Sequence, residues 1–308
     1  MKASTAMTST AFLADHAFLP DGWDQNVLIR VDAHGIIKAV EPNAGNTGGA
    51  ERLRGATLPG LPNLHSHTFQ RGMAGLAERR GPAHDSFWSW REVMYRFVRQ
   101  LTPDDVEAIA AMAMVEMLEG GFTSLAEFHY LHHGPDGTPY ANPAEMAERI
   151  AAAAARTGIG LTLLPVLYTY GGFGGQPAGE GQRRFLNDLD RYLRLHEASA
   201  KALRDLPAGV LGLAPHSLRA VTPEQLQRLI EAIPEGPVHI HIAEQVKEVE
   251  DCLAWCGQRP VAWLAGNAAL SGRWTLIHAT HMESDEVAAV ASSGAVAGLC
   301  PITEANLG

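Results

Sequence analysis

The chain has 308 residues, 46% hydrophobic and 19% charged, enough to bury a large core as one α/β barrel or as two ordinary domains. Its 24 Lys and Arg against 34 Asp and Glu leave a formal charge of -10, which argues against nucleic acid as the main partner. An anionic small molecule is not excluded, because one arginine inside a pocket outweighs a distant surface field.

Residues 1–10 are small and polar and read as a flexible N-terminus without a secretory leader. Residues 11–58 hold short alternating pieces such as Asn26–Val31 and Gly35–Val40, broken by Asp21-Gly22, His34-Gly35 and a glycine-rich stretch at 44–50. That pattern predicts part of a small β-sandwich domain with too few strands to close its own core. The main domain is expected over 59–308.

It opens with Leu58-Pro-Gly-Leu-Pro-Asn-Leu-His-Ser-His67, an apolar strand ending in two histidines one residue apart. A loop with Phe87, Trp88 and Trp90 should follow, then a helical stretch to Arg99. Thr102-Pro-Asp-Asp105 supplies a cap, a proline at the first helical position and an acid at the third. The helix it opens should stop at Gly120-Gly121. Phe122–Tyr130 is the second strand, Asn142-Pro143 caps an alanine-rich helix, and Ile159–Tyr168 is the third strand. A flexible glycine-rich rim at 171–175 and a helix from Glu180 to His196 come next. The remaining strands are placed at Val210–His216, Val238–Ala243, Thr275–Ala279 and Ala295–Leu299, with helices opening at Thr222-Pro223, Gln245 and Ser284. Seven strands alternating with helices predict a (β/α) barrel, with a doubly wound open sheet as its rival. An eight-stranded barrel still needs one strand between the seventh and the first, so the sequence looks like the front two-thirds of a protein.

Cys252, Cys256 and Cys300 are the only cysteines and suit a reducing compartment; the first two lie one helical turn apart with no second pair to form a zinc knuckle. No apolar run is long enough to span a membrane, and a cytoplasmic protein is expected.

Fourteen histidines justify a search for a metal site, and several fall at one end of the predicted barrel. His65 and His67 end strand one, His216 ends strand four, His239 and His241 lie in strand five, and His278 ends strand six. Residues two apart on a strand project to one side, so His65, His67 and His241 are the chosen ligands. His239 has the same parity as His241 but sits a layer deeper, which suits packing or support. Glu244 follows His241 by three residues, where a carboxylate can carry a proton, or simply cap the next helix. His278 can polarise water, bond to a tetrahedral intermediate, or stay a buried neutral ring. Arg219 is the natural grip for a carboxylate, with a surface ion pair as its plainer reading. Gln70 and Tyr130 are polar groups at the same mouth. The 171–175 glycines are no phosphate loop, because no Lys-Ser or Lys-Thr follows.

Pro59-Gly-Leu-Pro-Asn-Leu-His-Ser-His67, His241-Ile-Ala-Glu244 and Leu276-Ile-His-Ala-Thr-His281 resemble the metal-dependent amidohydrolase superfamily, in its mononuclear deaminase branch. No lysine ends strand four, which disfavours the binuclear branches. Asn63–Ala77, Ala126–Tyr130, His216–Val221 and His239–Gln245 resemble, more narrowly, the formimidoylglutamate deiminases (N-formimino-L-glutamate iminohydrolases) of histidine degradation. The resemblance implies a (β/α)8 TIM barrel, incomplete here, with a small N-terminal β domain. It implies one Zn2+, or another divalent ion such as Fe2+, on His65, His67 and His241, with Glu244 and His278 catalytic. Gln70, Tyr130, His216 and Arg219 would contact a small-molecule substrate, N-formimino-L-glutamate, and a homodimer would be the assembly when complete. A further ligand, an aspartate on strand eight, is not in the sequence, so the 308 residues alone are expected to be inactive. An aromatic aminated ring, as in guanine or pterin deamination, is the alternative substrate. An inactive structural fragment is the alternative of a different class.

Overall fold

The computed structural model describes residues 10–33, 35–45, 47–76 and 87–307. It separates into two compact units between Leu61 and Pro62. In the first, β1 (Thr10–Leu19) and β2 (Gly22–Val31) form an antiparallel hairpin, β3 (Ile37–Glu41) pairs with β2, and β4 (Glu51–Thr57) runs parallel to β1. The order is β3-β2-β1-β4. Gly22, at φ 119°, closes the two-residue Pro20-Asp21 turn, a backbone region open to glycine. Its fully buried cluster consists of Ala14, Ala17 and Val27. Expectations for residues 1–9, and for the loop at 77–86, fall outside the described residues.

The second unit begins with β5 (Leu61–Ser66), α1 (Phe87–Val98), α2 (Pro103–Glu119), β6 (Phe122–His129), α3 (Glu145–Thr157), β7 (Gly160–Leu167) and α4 (Leu189–Ala202). It continues with β8 (Gly209–Leu211), β9 (Ala214–Pro215), α5 (Pro223–Ala232), β10 (Val238–Ile242), α6 (Val246–Cys256), α7 (Pro260–Asn267), β11 (Trp274–His278), α8 (Ser284–Ser293), β12 (Val296–Gly298) and α9 (Pro301–Leu307). Neighbours run β5-β6-β7-β8, with β9 also on β7, and β10-β11-β12. A parallel bridge from Leu213 to Val238, with His239 N–H donating to Leu213 O at 3.1 Å, joins the two sets. The seven strand positions therefore follow in sequence order without the reversal of a doubly wound sheet. The architecture is a (β/α) barrel.

Strand four is broken, and the cause is local. Gly212 N–H bonds Leu163 O on one side, while Leu213 N–H bonds Pro237 O on the other. The backbones come so close there that a Cβ on Gly212 would stand 2.6 Å from both Leu164 Cδ2 and Pro237 O. β10 shows how the barrel is filled. All five of its residues are buried. Val238, Ile240 and Ile242 pack into the cluster under α5, α6 and α7, which leaves the alternate residues, His239 and His241, for the barrel interior. Each such isoleucine contributes about 1.5–3 kcal/mol by burial.

Several helix starts differ from expectation. Phe87, Trp88 and Trp90, expected in a loop, begin α1. Residues 180–182 form a single 3-10 turn, and α4 starts only after Asp188, whose Oδ1 accepts from Arg191 N–H at 2.8 Å. The segment between is pinned rather than helical. Arg184 is buried and donates to the carbonyls of His133 (2.7 Å), Leu101 (3.0 Å) and Val98. Asn142 turns the chain by accepting from Ala144 N–H at 3.0 Å, and α3 begins at Glu145. Thr102 and Asp105 form the expected reciprocal cap, as do Thr222 and Gln225. The glycine-rich rim is a built turn, in which Gly171 N–H donates to Gln176 O at 2.8 Å. Among the described residues no helix is long and apolar enough to cross a membrane.

Candidate metal centre and active site

At the ends of β5 and β10, three imidazoles meet. Nε2 of His65 lies 3.0 Å from Nε2 of His67 and 3.1 Å from Nε2 of His241, and the last two are 3.3 Å apart. Their other nitrogens explain the arrangement. His67 Nδ1–H donates to the carbonyl of Phe128 at 2.9 Å, and His241 Nδ1–H to the carbonyl of His216 at 3.1 Å. A carbonyl only accepts, so each neutral ring must carry its proton on Nδ1 and present a lone pair on Nε2. Burial, reinforced by the neighbouring imidazoles, holds His65 and His241 well below the usual histidine range, and burial brings His67 to about 4. Neutral rings with converging lone pairs are what a cation needs. Two nitrogens on one tetrahedral zinc stand roughly 3.3 Å apart, so the donor set fits a single divalent ion. The outer carbonyl contacts are the usual support of metal-bound imidazoles.

The other expected residues surround this triangle. The ring of His278 stands further off, with its centroid 5.8 Å from His65 and 5.6 Å from His241. Its Nε2 lies 3.8 Å from Glu244 Oε1 and its Nδ1 3.4 Å from Glu304 Oε1. Desolvation raises the Glu244 carboxyl to about 7, with Arg219 opposing the shift and Glu248 adding to it. His278 (φ 69°), Ala279 (φ 50°) and Ala243 (φ 50°) all occupy the left-handed region that costs a non-glycine residue energy. The strain gathers where β10 and β11 turn into the mouth.

His216 packs its ring 4.8 Å from His241 and 4.4 Å from Tyr168, and burial keeps it neutral. Gln70 Nε2–H donates to the Tyr130 hydroxyl at 2.9 Å, so these two side chains act as one polar pair. Burial drives the Tyr130 phenol far above its ordinary range. Arg219 Nη2 stands 4.0 Å from Glu248 Oε2. All nine expected site residues line one cavity of about 560 Å³. His239 is not among the lining residues; it is buried and held near 4 by desolvation. Cys252 and Cys256 sit on α6 with sulfurs 4.0 Å apart.

Residues 56–308 match a family model described as "Amidohydrolase family". The chain belongs to the amidohydrolase family. Within this amidohydrolase, residues 9–54 match a second model, "Formimidoylglutamate deiminase HutF, N-terminal domain". A curated formimidoylglutamate deiminase from Pseudomonas aeruginosa is 57% identical over 300 residues, covering 97% of the chain and 66% of that protein. The crystal structure of an amidohydrolase from Brucella melitensis superposes with a TM-score of 0.92 at 56% identity, covering 96% of the chain and 66% of its own. An adenosine deaminase from Xanthomonas campestris, solved with bound zinc, shares the fold at a TM-score of 0.68 and 22% identity, over 94% of the chain and 61% of its own. The chain thus spans about two-thirds of the length of the proteins it resembles most strongly among these. Divalent-metal binding is general to amidohydrolases.

The amidohydrolase cavity also holds residues that sequence reasoning missed. Arg91, Met94 and Tyr95 line it from α1, beside Trp90, which the sequence placed in a loop as a candidate aromatic face. Their spacing, two adjacent pairs one helical turn apart, is a helix-face signal that a loop assignment for Trp88–Trp90 conceals. Tyr168 and Phe185 add aromatic wall. Cys300 also lines the cavity, and Glu304, on α9, reaches towards His278 while its Oε1 accepts from Cys300 N–H at 2.7 Å.

Proposed function

We propose that this chain carries the catalytic residues of a hydrolase that converts N-formimino-L-glutamate to N-formyl-L-glutamate and ammonia in histidine degradation. The supporting observation is that one cavity holds both the triangle of Nε2 atoms and the guanidinium of Arg219. A substrate with an amidine at one end and carboxylates at the other needs both. His65, His67 and His241 would hold one Zn2+, with Fe2+ as the other ion compatible with three imidazoles. When bound, the ion supplies Lewis acidity that lets water act as a nucleophile near neutral pH.

The chain's own groups do the rest. Arg219, with Arg91 as a second cation in the cavity wall, grips the carboxylates and fixes the formimino carbon beside the triangle. The Gln70–Tyr130 pair and His216 offer hydrogen bonds to the substrate's polar atoms. His278 orients the attacking water. The resemblance assigns that water's first proton to a strand-eight aspartate outside these 308 residues. Glu244, with a pKa of about 7, is matched to hand a proton to the departing nitrogen of the protonated amidine and to take up the added hydroxyl's proton as the carbonyl forms. The C–N bond then breaks, ammonia leaves, and N-formyl-L-glutamate remains. Three free thiols agree with a cytoplasmic setting, and a homodimer is the assembly the resemblance implies.

A second reading has its own support. Trp90, Tyr95, Tyr168 and Phe185 give the cavity aromatic faces suited to a planar aminated ring. Parallel measurement of ammonia release from N-formimino-L-glutamate, guanine and an arylamidine decides between them. Both the 308-residue chain and a longer protein containing it should be assayed with zinc. Preference for guanine in either would sink the dicarboxylate assignment.

A further inference from the structure

We propose that Glu248 is a positioning residue that ties the carboxylate grip to the proton-carrying loop, a role that rests on the function proposed above. Glu248 lies in the first turn of α6 and is only 2% exposed. An acid there ordinarily favours the positive end of its own helix. Its side chain does something else. Oε1 accepts from Ala243 N–H at 3.3 Å and Oε2 from Glu244 N–H at 3.2 Å, both before the helix begins. Ala243 is one of the strained left-handed residues, and the carboxylate holds it by accepting hydrogen bonds from its own N–H and from that of the next residue. The same contacts set where Glu244 leaves the backbone.

Oε2 also faces Arg219 Nη2 at 4.0 Å. That separation gives charge attraction without a hydrogen bond. Among the described residues, Arg219 Nε is buried with no hydrogen-bond partner. The guanidinium is thus held by charge and keeps donors for an incoming carboxylate. Burial is the largest single influence and works against its cation; Glu248, Tyr168, Glu244 and Tyr95 together outweigh it, Glu248 foremost, and hold the pKa above the usual value. One carboxylate therefore links the group that grips the substrate's tail to the backbone that aims the proton carrier.

The test uses Glu248→Gln, which keeps shape but removes charge and turns one acceptor into a donor. In a zinc-loaded longer protein containing the chain, KM for N-formimino-L-glutamate should rise about tenfold, with a smaller fall in kcat. In an Arg219→Gln background the same change should leave KM unmoved. Glu248→Asp, which keeps the charge, should restore part of the loss. Residue-resolved amide exchange, independent of turnover, should quicken at Ala243 or Glu244 while Cys252, further along α6, keeps its rate. Equal KM penalties in both backgrounds, or unchanged exchange at both amides, would overturn the assignment. If a longer protein containing the chain ignores N-formimino-L-glutamate, the substrate reading fails, and the exchange rates still decide whether Glu248 holds the loop.

Discussion

The carbonyl oxygen of Phe128 lies 2.9 Å from Nδ1 of His67, and this contact decides which nitrogen the ring turns toward the barrel mouth. The carbonyl of His216 does the same for His241. Backbone atoms of the neighbouring barrel strands thus preset the tautomers, with no side chain needed. Replacing His67 or His241 by alanine should lower bound divalent metal from one equivalent per chain to a small fraction, measured by elemental analysis after dialysis. Chelation should abolish turnover in a longer protein containing the chain and lower Tm, since an ion at 1,000 times its Kd stabilises by about 4 kcal/mol. Full metal content in His67→Ala would remove His67 from the centre.

Glu244 makes a sharper case, because its carboxyl can be neutralised without touching the ligands. Glu244→Gln should keep one metal per chain while kcat falls by roughly 10²–10⁴. Burial raises this carboxyl above the usual carboxylate range, so the parent's proton-donating form survives towards neutral pH and is lost above it, and kcat should show an alkaline limb. The glutamine variant should lack that limb. Normal turnover in Glu244→Gln with normal metal content would refute the proton role.

That the strand-borne half of the candidate site would come together was legible in the sequence because parity on a strand is rigid. His65 with His67, and His241 beside His239, needed only alternation and a strand end. Glu244, Arg219 and Tyr130 followed from sitting just past those ends. What could not be read came from helices and tertiary tethers. Arg91 was hidden because the aromatic run around Trp88 resembles a rim loop until α1 shows its helical face. The helix expected from Glu180 failed because buried Arg184 spends its donors on three distant carbonyls, a demand invisible to local pattern. Gly212 broke strand four through a backbone approach from Pro237, 25 residues further along the chain.

On the function proposed above, Arg219 is the residue on which substrate identity turns. Arg219→Ala removes a charge-assisted contact to a carboxylate, which is worth about 1.5–3 kcal/mol and so roughly 10–150-fold in kcat/KM. The loss should appear for N-formimino-L-glutamate and nearly vanish for a formamidine that lacks carboxylates. Steady-state kinetics on both compounds is the check. An equal loss on both would mean that Arg219 shapes the cavity rather than reading the substrate's tail.

Glu127 yields a prediction about stability rather than catalysis. It is fully buried on β6, and its carboxyl accepts from Thr68 N–H at 2.9 Å and from Thr68 Oγ1 at 2.8 Å. Desolvation nonetheless raises it from 4.5 to about 7, against those hydrogen bonds. The folded state therefore holds this proton more tightly than the unfolded chain does. Its contribution is fully present below pH 4.5 and lost as pH rises through 7, by on the order of 3 kcal/mol. Glu127→Gln cannot ionise. In urea unfolding of the metal-stripped proteins, stability of the parent relative to the variant should fall by that amount between pH 5 and 8. Buried histidines titrate in both and cancel in the difference. A difference that stays flat across this range would show that Glu127 keeps one protonation state throughout.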